Sequence, residues 1–157
     1  MKILLLGKNG QVGWELQRAL APLGEVIALD RYGLMGLCGD LSQIEAVCDT
    51  ILSVKPDVVV NASAYTAVDL AESEHELADQ INHLSIQKIA RTCQLIDTLF
   101  VHYSTDYVFN GAGDQPFSET DDIAPLNVYG KTKALGEQAI IIVVVLILFL
   151  EHLGFML

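Results

Sequence analysis

The sequence is poor in cysteine, proline and basic residues. Its three cysteines, Cys38, Cys48 and Cys93, form an odd, scattered set with no C-x-x-C spacing. That excludes a disulfide framework and a thiolate zinc site, and it suits a reducing, cytoplasmic compartment. Lysine and arginine number 9 against 20 acidic residues, a formal charge of −11 at pH 7. So acidic a chain, with no basic run, repels a phosphate backbone, which argues against nucleic acid as a partner. The first apolar run stops at Gly7 and Lys8, too soon for a secretory signal. No low-complexity linker and no internal repeat is present. What remains is apolar: 52% of the 157 residues are hydrophobic and 18% charged. That is enough to fill the core of one domain and leaves no room for a second of full size.

Short runs rich in Val, Ile, Leu and aromatics occur at Lys2–Leu6, Glu25–Leu29, Asp57–Asn61 and Thr98–Tyr103. None alternates cleanly, as expected of strands covered on both faces. Helical spacing fills the gaps: Gln11–Leu23, Leu41–Val54 with Ser42 as N-cap, and Ala71–Leu95 with a break near Asn82–Leu84. Trp14 fits the packing of the first helix. Strands alternating with helices of this length predict an α/β fold, a Rossmann-type doubly wound parallel sheet with right-handed crossovers. Gly39-Asp40-Leu41 is placed like the end of a third strand, which makes Asp57–Asn61 the fourth and Thr98–Tyr103 the fifth.

The composition changes near residue 139. After Gln138 the only charged residue is Glu151, and Ala139–Leu150 is unbroken apolar sequence with six consecutive β-branched residues. A membrane span needs about 18 apolar residues, so a buried sixth strand is favoured over a tail anchor. A third reading is that residues 140–157 are not a native element. The chain thus divides into a dinucleotide-binding domain over 1–139 and an apolar tail over 140–157.

Gly7, Gly10 and Gly13 form G-x-x-G-x-x-G between the first strand and the first helix. Glycines there allow a tight turn, close approach of backbone to a pyrophosphate and close packing of helix on strand. The helix N-terminus at Gln11 and Val12 offers N–H groups and partial positive charge. Asp30 follows the second strand, 17 residues past Gly13, close to the roughly 20 expected of a carboxylate that binds ribose hydroxyls. Asp30 alone favours NADH, whereas the adjacent Arg31 could pair with the 2′-phosphate of NADPH, so both stay open. Asp40 and Leu41 are placed to meet adenine, although a helix cap explains Asp40 equally well. Small residues over Asn61–Thr66, including Ala64, let a cofactor lie against the backbone.

Two features carry the chemistry. Ser104, Thr105 and Asp106 stand at a strand end, and Tyr129-Gly130-Lys131-Thr132-Lys133 is a Y-x-x-x-K. On a helix, positions i and i+4 share a face, so Lys133 can sit near the Tyr129 phenol and lower its pKa. Tyr129 then serves as a proton donor in a carbonyl reduction, with Thr105 hydrogen-bonding the same oxygen. His75, His83, His102 and His152 lack metal-ligand spacing, so no metal site is assigned; His102 reads as a hydrogen-bonded residue of the fifth strand. Asp69, Glu72, Glu74 and Glu76 read as a solvated acidic helix start.

Four segments together resemble one family: Gly7–Gly13, Asn61–Asp69, Ser104–Gly111 and Asn127–Glu137. They are similar to the dTDP-4-dehydrorhamnose reductases, extended short-chain dehydrogenases/reductases, over Met1 to about Ala139. The resemblance implies NADH- or NADPH-dependent reduction of the 4-keto group of dTDP-4-dehydro-L-rhamnose to dTDP-L-rhamnose, for O-antigen and other cell-surface polysaccharides. It implies pyrophosphate contacts from Gly10, Gln11 and Val12, and ribose contact from Asp30. Asp40 and Leu41 would meet adenine, while Ala64, Tyr65 and Thr66 line the cofactor. Tyr129 would be the proton donor and Lys133 its partner, with Thr105 and Asp106 on the dTDP-sugar. The family also admits Mg²⁺ and a homodimer, neither supported by a feature of these residues. Family members are roughly twice as long, with the C-terminal half forming the sugar-nucleotide pocket. That half is lacking here, so the chain reads as truncated or frameshifted after about residue 139, with activity reduced or lost. The alternative is a non-catalytic dinucleotide-binding or regulatory subunit of the same fold.

Overall fold

The computed structural model describes residues 1–112, 116–118, 120–143 and 147–152. Five strands, β1 (Lys2–Leu6), β2 (Glu25–Leu29), β3 (Val58–Asn61), β4 (Leu99–Thr105) and β5 (Ile147–His152), form one parallel sheet in the order β2-β1-β3-β4-β5. Among the described residues six α-helices connect them: α1 (Gln11–Leu20), α2 (Ile44–Val54), α3 (Val68–Ala71), α4 (His75–Asp79), α5 (Ser85–Leu95) and α6 (Val128–Val143).

Right-handed crossovers dictate which face each helix covers. The chain steps from β1 outward to β2, then back past β1 to β3, so α1 and α2 lie on opposite faces. Alternation in β1 records this. Ile3 and Leu5 pack with Leu16 and Leu20 of α1, whereas Leu4 and Leu6 join Val47 and Ile51 of α2, Ile86 and Ile89 of α5 and Ile140 of α6. The second cluster is the larger core. Among the described residues only α1 covers the other face, and Leu99, Val101 and Tyr103 of β4 stay half-buried, short of the two-sided cover expected for every strand.

Several expectations need correction. Residues 31–40 contribute no strand to the sheet, so β3 and β4 are third and fourth. Gly33, Met35 and Gly36 have φ of 70°, 51° and 81°, and Leu34 and Leu37 exchange both backbone hydrogen bonds. The segment closes on itself as a two-residue turn of the kind that positive φ at both central positions allows. Asp40, not Ser42, caps the turn that opens α2, accepting from the Ser42 N–H at 3.0 Å. The break in the third helical segment is a π-turn at Gln80–Leu84. Trp14 is 68% exposed and lies on the outer side of α1. The apolar tail is not one strand: α6 runs through residue 139 to Val143, with Ile140 fully buried, and β5 begins at Ile147. Whether the β5 side chains are buried lies outside the described residues.

The chain leaves the carboxyl ends of the paired strands β1 and β3 toward opposite faces of the sheet, and such a point is where parallel α/β sheets hold ligands. Two close approaches define it. Gly7, at φ 89°, would press a Cβ to 2.8 Å from the Ala62–Ser63 peptide, and a Cβ on Gly13 would stand 2.0 Å from the Gly7 carbonyl oxygen. Gly13→Ala is therefore expected to cost about 3 kcal/mol in urea unfolding. Gly36→Asn, in open space, is expected to cost less than about 1 kcal/mol despite its positive φ.

Candidate active site at the carboxyl edge of the sheet

The glycine turn is tied to its neighbours by backbone. Gly7 and Lys8 N–H groups both donate to the Leu29 carbonyl at the end of β2, at 2.9 and 3.1 Å. Asp30, the residue directly after Leu29, accepts from Asn9 Nδ2 at 2.9 Å and the Tyr32 N–H at 2.9 Å, with Lys8 Nζ at 3.6 Å. Partial burial pushes the Asp30 carboxyl up, but these three partners outweigh it and hold it below its usual range. Gly10 is the N-cap of α1, and a Cβ there would meet only the Gly7 carbonyl oxygen, at an ordinary contact distance of 3.6 Å. Gln11 is exposed beside it.

A cleft of about 290 Å³ continues from this turn. It brings together Val12, Ala64, Thr66, Thr105, Asp106, Tyr129 and Lys133 from four separate stretches of chain. Other expected residues lie elsewhere. The Tyr65 ring turns away, its hydroxyl donating to Glu74 at 2.6 Å. Both oxygens of Asp40 are engaged by Ser42 and Gln43, and Leu41 is packed in the core. A larger cavity of about 650 Å³ adjoins the cleft, sharing Asp106 and Tyr107. Phe109, Asn110, Phe117, Leu126 and Asn127 also line it. Sequence reasoning singled out none of these five, because only folding sets them opposite one another.

Helix α6 delivers Tyr129 and Lys133. Asn127 opens it by accepting from the Gly130 N–H at 2.7 Å, and Glu72 accepts from the Val128 N–H at 2.7 Å. Glu72 and Glu74 thus have structural partners and are more than a solvated helix start. Gly130 lets the helix approach closely, since a Cβ there would meet the Tyr107 carbonyl oxygen at 2.2 Å. Tyr107 in turn meets the Tyr129 ring edge-on, with centroids 5.5 Å apart. Asn82, in the π-turn, binds both the N–H and carbonyl of Tyr65 and the Thr132 hydroxyl, tying the cleft loop to α6.

One expectation about the pair is corrected. Lys133 does not lower the Tyr129 phenol: burial raises it, a hydrogen bond with Thr105 opposes this, and Asp106 adds to the rise. The reason is where the lysine points. Its Nζ donates to the Tyr103 carbonyl at 2.5 Å and lies 3.2 Å from His102 Nε2. With Lys133 only 2% exposed, loss of hydration lowers its pKa to about 8, against the pull of Glu137. Ser104 donates to Glu137 beneath the cleft.

Residues 1–147 match the family described as the RmlD substrate binding domain. This chain belongs to that family. Its relatives include a dTDP-4-dehydrorhamnose reductase of Escherichia coli strain K12, 57% identical over 140 residues that make up 89% of this chain and 46% of the relative. A solved dTDP-4-dehydrorhamnose reductase from Clostridium acetobutylicum superposes with a TM-score of 0.88 at 36% identity, covering 96% of this chain and 52% of that one. The Bacillus anthracis reductase, solved in complex with NADP, gives a TM-score of 0.86 at 32% identity over 96% and 52% of the two chains. The chain spans about half the length of these family members. Among its described residues, no group of His, Cys, Asp and Glu could hold a metal ion, and no helix is long and apolar enough to cross a membrane.

The buried lysine has a consequence for stability. Between about 8 and its ordinary 10.5, Lys133 binds a proton in the unfolded chain but not in the folded one. Its contribution therefore grows as pH rises through that window and is lost as pH falls through it. Lys133→Met is expected to remove this slope, which amounts to about 3 kcal/mol at most. Urea unfolding of both proteins at the two ends of the window measures it.

Proposed function

We propose that this chain carries the dinucleotide site and proton donor of a dTDP-4-dehydrorhamnose reductase. The reaction is NADH- or NADPH-dependent reduction of the 4-keto group of dTDP-4-dehydro-L-rhamnose to dTDP-L-rhamnose, a cytoplasmic step toward cell-surface polysaccharide. The observation that carries this reading is the cleft in which Tyr129 and Thr105 meet Val12 and the loop after β3, directly beside the glycine turn.

The residues fit a dinucleotide. The missing side chains of Gly7 and Gly13 keep the turn tight, and the exposure of Gly10 and Gln11 leaves the start of α1 accessible to a pyrophosphate. Asp30 stands at the adjacent strand end for the ribose. Asp40 and Leu41 serve adenine only through their backbone, because their side chains are committed to the cap and the core. When bound, the reduced dinucleotide supplies a hydride to the carbonyl carbon.

The protein's own work is at the oxygen. Burial keeps the Tyr129 phenol protonated, in its acid form, and Thr105 fixes the direction of its hydroxyl. As charge develops on the substrate oxygen, Tyr129 gives up its proton, and the hydrogen bond with Thr105 favours the phenolate that results, while Lys133, one helical turn on, holds the Tyr103 carbonyl at the cleft floor. Asp106 stands where the cleft opens into the larger cavity, whose aromatic and amide lining suits a sugar nucleotide.

Titrating the chain with NADPH while following nucleotide fluorescence tests the first half of this reading. Saturable binding is expected for the wild type and its loss for Gly7→Val, checked for folding by circular dichroism. Adding the 4-keto sugar nucleotide tests the second half. Tyr129→Phe should bind NADPH as the wild type does and oxidise it at least ~100-fold more slowly. Binding without oxidation in the wild type would favour the non-catalytic dinucleotide-binding subunit, and no binding would overturn the whole reading.

A further inference from the structure

Beneath the cleft lies a buried chain of side chains whose hydrogen-bonding roles cannot all be chosen independently. Asn61, at the end of β3, is fully buried, and its Oδ1 accepts from the Ser63 N–H at 3.0 Å. That commitment turns its Nδ2, which can only donate, toward His102 Nδ1 at 3.0 Å. His102 is 2% exposed on β4, and the Phe100 ring stacks beside it with centroids 6.0 Å apart. Nδ1 must therefore be the unprotonated nitrogen of a neutral imidazole, and Nε2 must carry the hydrogen. Nε2 faces Lys133 Nζ at 3.2 Å. An ammonium has no lone pair to accept that hydrogen, but a neutral amine does, while still donating to the Tyr103 carbonyl.

We propose that Asn61, His102 and Lys133 form a proton-linked switch, in which His102 is a positioning residue that couples the charge of Lys133 to the turn at Ala62–Ser63. With Lys133 neutral, the described bonds are all satisfied. When the pair takes up one proton from solvent, Nζ becomes an ammonium and needs the Nε2 lone pair. The imidazole stays neutral but moves its hydrogen to Nδ1. Asn61 must then offer Oδ1 to Nδ1–H, and the Ser63 N–H loses its acceptor. Ser63 lines the cleft, and its peptide with Ala62 is the one a Cβ on Gly7 would strike, so the signal ends at the glycine turn.

The groups facing the switch are few. Glu137 approaches Lys133 from its own helix and is paired with Ser104 of β4, while Tyr129 of the same helix lines the same cleft. The Tyr103 carbonyl and His102 face Lys133 from the strand, and Asp106 faces Tyr129. Burial and the nearby lysine keep His102 well below the ordinary histidine range, so it changes tautomer without becoming charged. The meaning of the switch for catalysis rests on the reading of Lys133 as the partner of Tyr129.

Nuclear magnetic resonance of the 157-residue chain, labelled with ¹⁵N-histidine and ¹³C-lysine, tests it without turnover. Lys133 is expected to titrate near about 8. His102 should show the Nε2–H tautomer above that midpoint and the Nδ1–H tautomer below it, and the Ser63 amide should shift with the same midpoint. A tautomer unchanged across the lysine titration overturns the proposal, as does a Lys133 that stays charged from about pH 6 to about 10. In His102→Phe the Ser63 amide should no longer follow Lys133, and if it still does the proposal fails. Should that variant not fold, the wild-type tautomers decide alone. NADPH binding separates the two ideas: a coupled titration in a chain that binds no dinucleotide sustains the switch and sinks the catalytic reading.

Discussion

The constraint that places the site is backbone against backbone. Where β1 ends, the chain turns through Gly7 into α1, and the first turn of that helix lies against the Gly7 carbonyl with no room for a Cβ at Gly13. The same Gly7 abuts the Ala62–Ser63 peptide after β3. These contacts hold the starts of α1 and of the β3 loop at one point of the sheet edge. The cleft floor, the accessible helix N-terminus and the entry to the larger cavity are all placed relative to that point. Any side chain there would push two backbones apart, so the glycines permit an approach that the backbone hydrogen bonds of Gly7 and Lys8 to Leu29, and of Ala62 to Leu6, hold in place.

Against this rigid edge the protein sets a costly electrostatic feature, a lysine almost cut off from water. Burying an ammonium is unfavourable unless it is hydrogen-bonded. The Tyr103 carbonyl and the carboxylate of Glu137 offset the loss of hydration only in part, which is why the pKa of Lys133 falls to about 8. Among the described residues no buried side-chain nitrogen or oxygen lacks a partner. The network is complete but tightly interdependent, so one proton changes several bonds together.

The family relationship and the geometry meet at this edge. The chain corresponds to about half the length of the reductases it resembles, and that half contains the glycine turn, the strand-end hydroxyls and the Tyr–Lys helix. The neighbouring cavity shares Asp106 and Tyr107 with the cleft, so a ligand bound across both would present one end to Tyr129 and rest the other on Phe109 and Phe117, which stack at 4.6 Å.

The alternation of apolar runs with helical spacing was enough to specify a parallel α/β sheet, since each element's period is local and strands of such uniform hydrophobicity need cover on both faces. The glycine spacing and the i, i+4 pair were equally legible, because turn geometry and helical pitch depend on few residues. Sequence alone took Gly39–Leu41 for the end of a third strand, where Asp40 instead caps a helical turn and the residues before it close a turn through positive φ at Met35 and Gly36. It also misread Ala139–Val143, whose β-branched residues favour a strand but continue α6 because Ile140 finds a place in the core. Tertiary structure decided the rest: that Leu41 is core, that Tyr65 faces Glu74, that Lys133 reaches His102 and Tyr103 instead of lowering the Tyr129 phenol. Those outcomes depend on distances between residues remote in the chain, and no local pattern encodes a distance that only packing sets.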